Sequence, residues 1–452
     1  MKPVNPADNE IFFEQSADTD AAVEKALTRA TNAFQSWKIK RFADRAAVLN
    51  RAADILDKRR AELAALATRE MGKRLAEAEA EVEKCAWVCR HYAEHAVHYL
   101  TDDERESDKS ECYVRYLPLG PVLAVMPWNF PYWQVFRFAA PTLMAGNTGL
   151  LKHASNVPQC ARAISEVFRE AGADDGVFQT LLIGSDKVES LIKDKRIKAV
   201  SLTGSGPAGA AVAAQAGDQI KPSLMELGGS DPFIVMPSAD LEQAVETGVK
   251  ARMINNGQSC IAAKRFIIHE DIYDDYVKRY VDRVEALKIG DPMEPDTGMG
   301  PLSSKAILDE LADQVKRAVD HGARILTGGE KTGSKGNYYR PTVLADIDPD
   351  NPAAEEEFFG PVALMFKAAS AQEAVEIANR SPFGLASSVW TNEQSERDLF
   401  INEIEAGSTF INAMVASDPR LPFGGVKASG YGRELSREGI LAFVNAKTIV
   451  LA

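Results

Sequence analysis

Residues 199–209 read Ala199-Val200-Ser201-Leu202-Thr203-Gly204-Ser205-Gly206-Pro207-Ala208-Gly209. Ala199–Thr203 is a short apolar run of strand length, and the Gly-rich turn Gly204-Ser205-Gly206-Pro207 follows at once, ahead of a helix. Strand, glycine turn and helix in succession are half of a parallel α/β unit. Gly204–Gly209 also spells G-x-G-x-x-G. As a dinucleotide fingerprint it is weak, because no acidic residue stands about twenty positions on; Lys221 and Glu226 occupy that region.

The same alternation extends both ways. Upstream, Val122–Met126, Gly149–Lys152 and Phe178–Gly184 read as strands, and Pro158–Gly172 as a helix opened by proline and closed by glycine. Downstream, Ser223–Gly229 and Phe233–Met236 are strands, followed by a helix from Ala239. Lys264–His269 continues the pattern as a strand, with helices at Tyr273–Leu287 and Lys305–Gly322 and a polar loop at Gly328–Asn337. A second α/β unit therefore begins near Gly228. The first hundred residues are helical: Val23, Leu27, Ala30, Phe34 and Trp37 recur at steps of three and four. A second helix runs from Val48 to Gly72, and a third spans Glu77–Leu100.

Composition bounds what such a chain can do. The 452 residues suggest two or three domains, and 45% hydrophobic with 26% charged residues is a globular balance. The most apolar region, Val135–Leu151, is interrupted by Arg137 and small polar residues, so no membrane span is expected. Met1–Phe13 lacks a secretory pattern. A net charge of −13 without a basic cluster argues against nucleic-acid or anionic-membrane partners. Five cysteines, an odd number, fit a reducing cytoplasm better than a disulfide framework.

Three residues stand out chemically. Cys260 follows Asn255-Asn256-Gly257-Gln258-Ser259, a small and polar run that would expose a thiol on a turn. Glu226 ends a strand before Gly228-Gly229, where partial burial could raise it towards a general base. Asn129 lies between Pro127 and Pro131, a stiff turn whose amide could donate to an oxyanion. Each taken alone also suits a structural role. Cys85, Cys89, His91, His95 and His98 share one helix, and the two pairs point in different directions, so a structural helix outweighs a metal site.

In chain order these segments resemble the aldehyde dehydrogenase superfamily: Pro127–Pro131, Leu151-Lys152, Leu202–Ser205, Glu226–Gly229, Asn256–Cys260, Glu357–Pro361 and Pro422–Lys427. Lys152-His153-Ala154 and Ser417-Asp418-Pro419-Arg420 are similar to the short bacterial succinate-semialdehyde dehydrogenases. The resemblance implies an α/β fold with a Rossmann-like cofactor-binding domain (residues 1–99 and 119–228), a second α/β catalytic domain (229–435), and a small β oligomerisation arm (100–118 and 436–452). It implies Cys260 as nucleophile, Asn129 and the Cys260 N–H as oxyanion donors, and Glu226 as the base that hydrolyses the thioester to a free acid. It assigns Trp128, Lys152, Ser155, Gly204, Ser205, Glu357 and Phe359 to the cofactor, and Arg137, Trp133 and Ser417 to the substrate.

Ser155 stands where NAD-preferring relatives carry a glutamate, which implies that NADP is preferred and NAD used less well. Arg137, eight residues after Asn129 or roughly 12 Å along a helix, is expected to face the same channel nearer its mouth and to receive a carboxylate. The chain departs from the family pattern at Gly206-Pro207, at Ser230, and at Ile254, where a second arginine is frequent. No cysteine stands two places after Cys260; that residue is Ala262. The implied partners are a small aldehyde and other copies of the chain, as dimer or tetramer through the extended segments Cys112–Leu117 and Val444–Leu451. The alternative substrates are other aliphatic or aromatic aldehydes, and a cysteine esterase or a non-enzymatic binding protein are the rival classes.

Overall fold

In the computed structural model, which describes residues 1–109, 111–348 and 350–451, the chain opens with helices Asp20–Trp37, Phe42–Lys58, Arg60–Met71 and Leu75–Tyr99. The first buries Ala26, Leu27, Ala30, Ala33 and Trp37, and the Thr19 hydroxyl caps it by accepting from the Ala22 N–H. The expected helix from Val48 to Gly72 is two helices. They break at Arg59, whose guanidinium is tied to Glu62, Glu166 and Glu170.

Six strands form the first sheet, in the order Gly430–Tyr431, Ser223–Glu226, Ala199–Thr203, Pro121–Met126, Thr148–His153, Phe178–Leu181. All neighbours are parallel except Gly430–Tyr431. From Pro121–Met126 the chain adds two strands on one side, then crosses back to add two on the other. The order thus reverses between Pro121–Met126 and Ala199–Thr203, the topological switch of a doubly wound sheet, where ligands sit beyond the carboxyl ends. The strand at Phe178 stops at Leu181, short of Gly184, because Leu182 leaves the sheet to exchange backbone and side-chain bonds with Asp18.

The second sheet has seven strands, in the order Arg324–Thr327, Thr342–Ala345, Val362–Ala368, Ala263–His269, Asp231–Val235, Ser387–Trp390, Thr409–Ile411. Only Arg324–Thr327 runs antiparallel to its neighbour. It begins at Asp231, just after Gly228.

The arm is an antiparallel ladder of Asp103–Glu104, Glu111–Pro118 and Val444–Leu451. Two boundaries differ from expectation. Gly430–Tyr431 returns to pair with Met225 and Glu226 of the first sheet. Helix Ser436–Leu441 belongs to the first unit and not to the arm, because Leu435, Ile440 and Phe443 are buried in the core that holds Trp37 and Phe136.

Candidate active site

The carboxyl ends of the first sheet deliver most of the singled-out residues. Trp128 and Asn129 follow Pro121–Met126, Lys152 and Ser155 lie at the end of Thr148–His153, Gly204 and Ser205 follow Ala199–Thr203, and Glu226 ends its strand. Ser205 is the N-cap position of helix Gly206–Asp218, whose first-turn N–H groups face the same crevice side. Trp128 meets Phe359 edge to face, with ring centroids 5.8 Å apart.

The turn bearing Asn129 is fixed from several sides. The Pro131 carbonyl is 2.8 Å from Nε2 of buried His153, which burial pushes down to about 4 and so keeps neutral. The Glu81 carboxylate accepts from the N–H groups of Tyr132 and Trp133, capping helix Trp133–Met144, and its other oxygen pairs with buried Lys73. Asn129 Nδ2 donates to the Gln258 carbonyl at 3.1 Å, so the amide is already aimed along the chain that leads to Cys260.

Cys260 sits beyond an unusual turn. Asn255, Asn256 and Gly257 all adopt left-handed backbone, with φ of 55°, 56° and 76°. Side-chain bonds hold it. Asn255 Nδ2 donates to the carbonyls of Asn129 and Gln258, and Asn256 Nδ2 donates to those of Gly72 and Pro301. Gly257 is required, because a Cβ there would lie 2.3 Å from the Gly360 carbonyl carbon. Buried Arg252 clamps the turn to the Glu357 loop by donating to the carbonyls of Ala263, Gly257, Phe358 and Gly360.

Buried Lys264 donates to the carbonyls of Ser259 and Cys260 at 2.8 and 2.6 Å and lies 3.4 Å from the Glu357 carboxylate. That carboxylate also accepts from the Gly229 N–H. Burial pushes the Cys260 thiol up to about 12, while the positive charges of Lys264 and Arg137 pull the other way. Buried Glu226 is raised well above the carboxylate range, chiefly by burial, with Arg137, Arg433 and the Gly425 N–H opposing and Glu434 adding to the rise.

A cavity of about 700 Å³ opens from Cys260. Trp133, Phe130, Phe423, Ile254 and Met414 give it apolar walls, and Lys84, Arg137 and Ser417 supply polar groups. Arg137 differs from its expected place at the mouth. It is 2% exposed, its guanidinium pairs with buried Glu434, contacts the Thr203 hydroxyl at 3.4 Å and stacks on Phe423 at 4.7 Å. A guanidinium out of water must have its donors and charge met, and here the buried Glu434 carboxylate does so.

Lys84, Arg252, Lys264 and Glu434 were not singled out from the sequence. Lys264, four residues past Cys260, carried the clearest overlooked signal; Glu434 carried none. Lys152 is buried, lowered by that burial, and its ammonium has no ion pair or hydrogen bond among the described residues, whereas Ser155 is exposed. Among the described residues no group of three His, Cys, Asp or Glu could hold a metal ion, and Cys85 and Cys89 are buried in the core.

Known proteins are similar to this chain over nearly its whole length. A probable succinate-semialdehyde dehydrogenase (NADP(+)) of Synechocystis sp. is 53% identical over 449 residues, with 99% of each chain covered. The succinate-semialdehyde dehydrogenase (NADP(+)) 1 of Mycobacterium tuberculosis is 54% identical over 452 residues, again with 99% of each. The crystal structure of succinic semialdehyde dehydrogenase from Streptococcus pyogenes with NADP+ superposes with a TM-score of 0.98 at 39% identity, covering 100% of this chain and 99% of that one. The aldehyde dehydrogenase family model matches residues 1–449, and the chain belongs to the aldehyde dehydrogenase family.

Proposed function

We propose that the protein oxidises succinate semialdehyde to succinate, with NADP preferred over NAD. One observation carries this reading: the cavity that begins at the Cys260 thiol also holds Lys84, Arg137 and Ser417, so a reactive aldehyde and a carboxylate a few carbons away fit one space. The relatives named for this substrate and for NADP(+) support it.

The residues present fit NADP. The Lys152 ammonium, buried with only the charge of Asp186 nearby and no carboxylate in ion-pair reach among the described residues, suits the adenosine ribose and its 2′-phosphate, and neutral Ser155 adds no repulsion. Ser205 and the first turn of Gly206–Asp218 suit the diphosphate, and Trp128, Phe359 and Glu357 suit the nicotinamide end. When bound, the nicotinamide supplies hydride acceptance.

The chain's own groups do the rest. The Cys260 thiolate attacks the aldehyde carbon, and the Asn129 amide and the Cys260 N–H hold the oxygen as it gains charge. After oxidation the carbonyl remains bound to sulfur as a thioester. Glu226, its basicity raised by burial, takes a proton from water as the water adds to that carbonyl. The thiolate leaves, and the carboxylic acid is released. The arm supports self-association as a dimer or a dimer of dimers: Val444–Leu451 pairs with Glu111–Pro118 along its whole length, yet most of its residues are exposed.

The test is a spectrophotometric screen of aldehydes against NADP and NAD. Succinate semialdehyde should exceed butanal in kcat/KM by at least about tenfold, with NADP preferred and Cys260→Ala inactive. Failure to reduce nucleotide with the semialdehyde, or preference for NAD, would overturn the reading.

A further inference from the structure

We propose that Lys84, on helix Leu75–Tyr99, is the cation that receives the carboxylate of the substrate, held in place by Ser417 and Trp133. This rests on the substrate class proposed above and names the residue that reads it.

Five cations line the cavity: Arg74, Lys84, Arg137, Lys250 and Arg283. Arg74 pairs with Glu77 at 3.0 Å, Arg137 with Glu434, and Arg283 with Glu242. Lys250 is exposed, where water screens it. Lys84 alone is half-buried with no carboxylate in ion-pair reach among the described residues; nearby Asp418 is bound to Arg420, and Glu81 to Lys73. Lys84 is nonetheless fixed. Its ammonium donates to the Ser417 hydroxyl at 2.8 Å and lies 4.4 Å from the centre of the Trp133 ring. An ammonium has three N–H donors, and this geometry uses one.

The placement follows from the helix. Glu77, Ala80, Glu81 and Lys84 recur at steps of three, four and seven, so one stripe both caps the oxyanion turn through Glu81 and turns Lys84 to the cavity. Burial and the neighbouring Arg137 charge pull Lys84 down to about 8. A substrate carboxylate would relieve that penalty, whereas an uncharged aldehyde would not.

The experiment compares wild type with Lys84→Met and Lys84→Arg in the intact enzyme at saturating NADP. For succinate semialdehyde, Lys84→Met should raise KM by roughly 30- to 100-fold with far less effect on kcat, the scale of one lost charge-assisted contact. Butanal should lose far less, and Lys84→Arg should recover most of the loss. Equal losses for both aldehydes, or an unchanged semialdehyde KM, would overturn the proposal. A second measurement separates it from the substrate reading: protection of Cys260 from iodoacetamide by succinate. Protection in wild type that vanishes in Lys84→Met supports the carboxylate contact even if the screen finds a better aldehyde. Protection that persists in the variant refutes it.

Discussion

Removing the Asn129 amide should separate catalysis from stability, because the structure gives that amide a partner that does not depend on it. Asn129 Nδ2 donates to the Gln258 carbonyl at 3.1 Å, and Asn255 Nδ2 donates to the same oxygen at 2.9 Å. In Asn129→Ala the Gln258 carbonyl keeps one donor, so no buried acceptor is orphaned. The stability loss is then one neutral hydrogen bond, about 1 kcal/mol. In a chain of this size that lowers Tm by no more than about 3 °C. The catalytic loss is of another order. A missing oxyanion donor removes about 2.7–4 kcal/mol of transition-state stabilisation, or roughly a hundred- to a thousandfold in kcat. The assay is kcat at saturating semialdehyde and NADP, with a melting curve and nucleotide affinity on the same preparation. Asn129→Asp, which puts a carboxylate against the developing charge, should be worse still. A kcat within about tenfold of wild type, or a loss matched by collapse of the melting transition, would refute the reasoning.

Three further outcomes follow from the same geometry. Glu226→Gln should leave the first oxidation and slow thioester hydrolysis by about a hundredfold or more, so rapid mixing should show a burst of reduced nucleotide before slow turnover; a missing burst counts against the assignment unless hydride transfer has become limiting. Ser155→Glu should lower the NADP-to-NAD ratio of kcat/KM by roughly tenfold or more, since a carboxylate would face the 2′-phosphate beside Lys152; a ratio that does not fall defeats the cofactor assignment. Burial raises the Cys260 thiol to about 12, and a raised acid yields its anion only at higher pH, so alkylation of the free enzyme by iodoacetamide should climb about tenfold per pH unit between about pH 7 and 9. A plateau in that window would mean that Lys264 and Arg137 outweigh burial.

The regular elements were legible because their residues carry the period themselves. Ala199–Thr203 forms its strand as read, and Pro158 opens its helix as read. The misses have long-range causes. The break at Arg59 lacks glycine or proline and comes with carboxylates that include Glu166 and Glu170, more than a hundred positions away. Helix Ser436–Leu441 joins the first unit through Leu435, Ile440 and Phe443, whose burial depends on a core assembled from the opposite end of the chain.

The site divides in the same way, by how many donors and acceptors each loop must borrow. Cys260, Glu226 and Asn129 sit in short, distinctive strings and could be picked out singly. What holds them could not. The loops around Cys260 and Glu357 form no ladder, so their carbonyls need donors from elsewhere. Long cationic side chains meet that need: Arg252 serves four carbonyls, those of Gly257, Phe358, Gly360 and Ala263, and Lys264 serves two, those of Ser259 and Cys260. In a sequence each is merely a charged residue beside an apolar run and argues against burial. Once buried, such a cation does two things at once. It fixes the backbone that carries the nucleophile, and Lys264, with its charge beside Cys260, opposes the burial that would otherwise keep the thiol protonated. Replacing Lys264 to probe one role therefore disturbs the other, whereas Lys84, which touches a hydroxyl and a ring but no backbone carbonyl, can be changed without loosening the loop around Cys260.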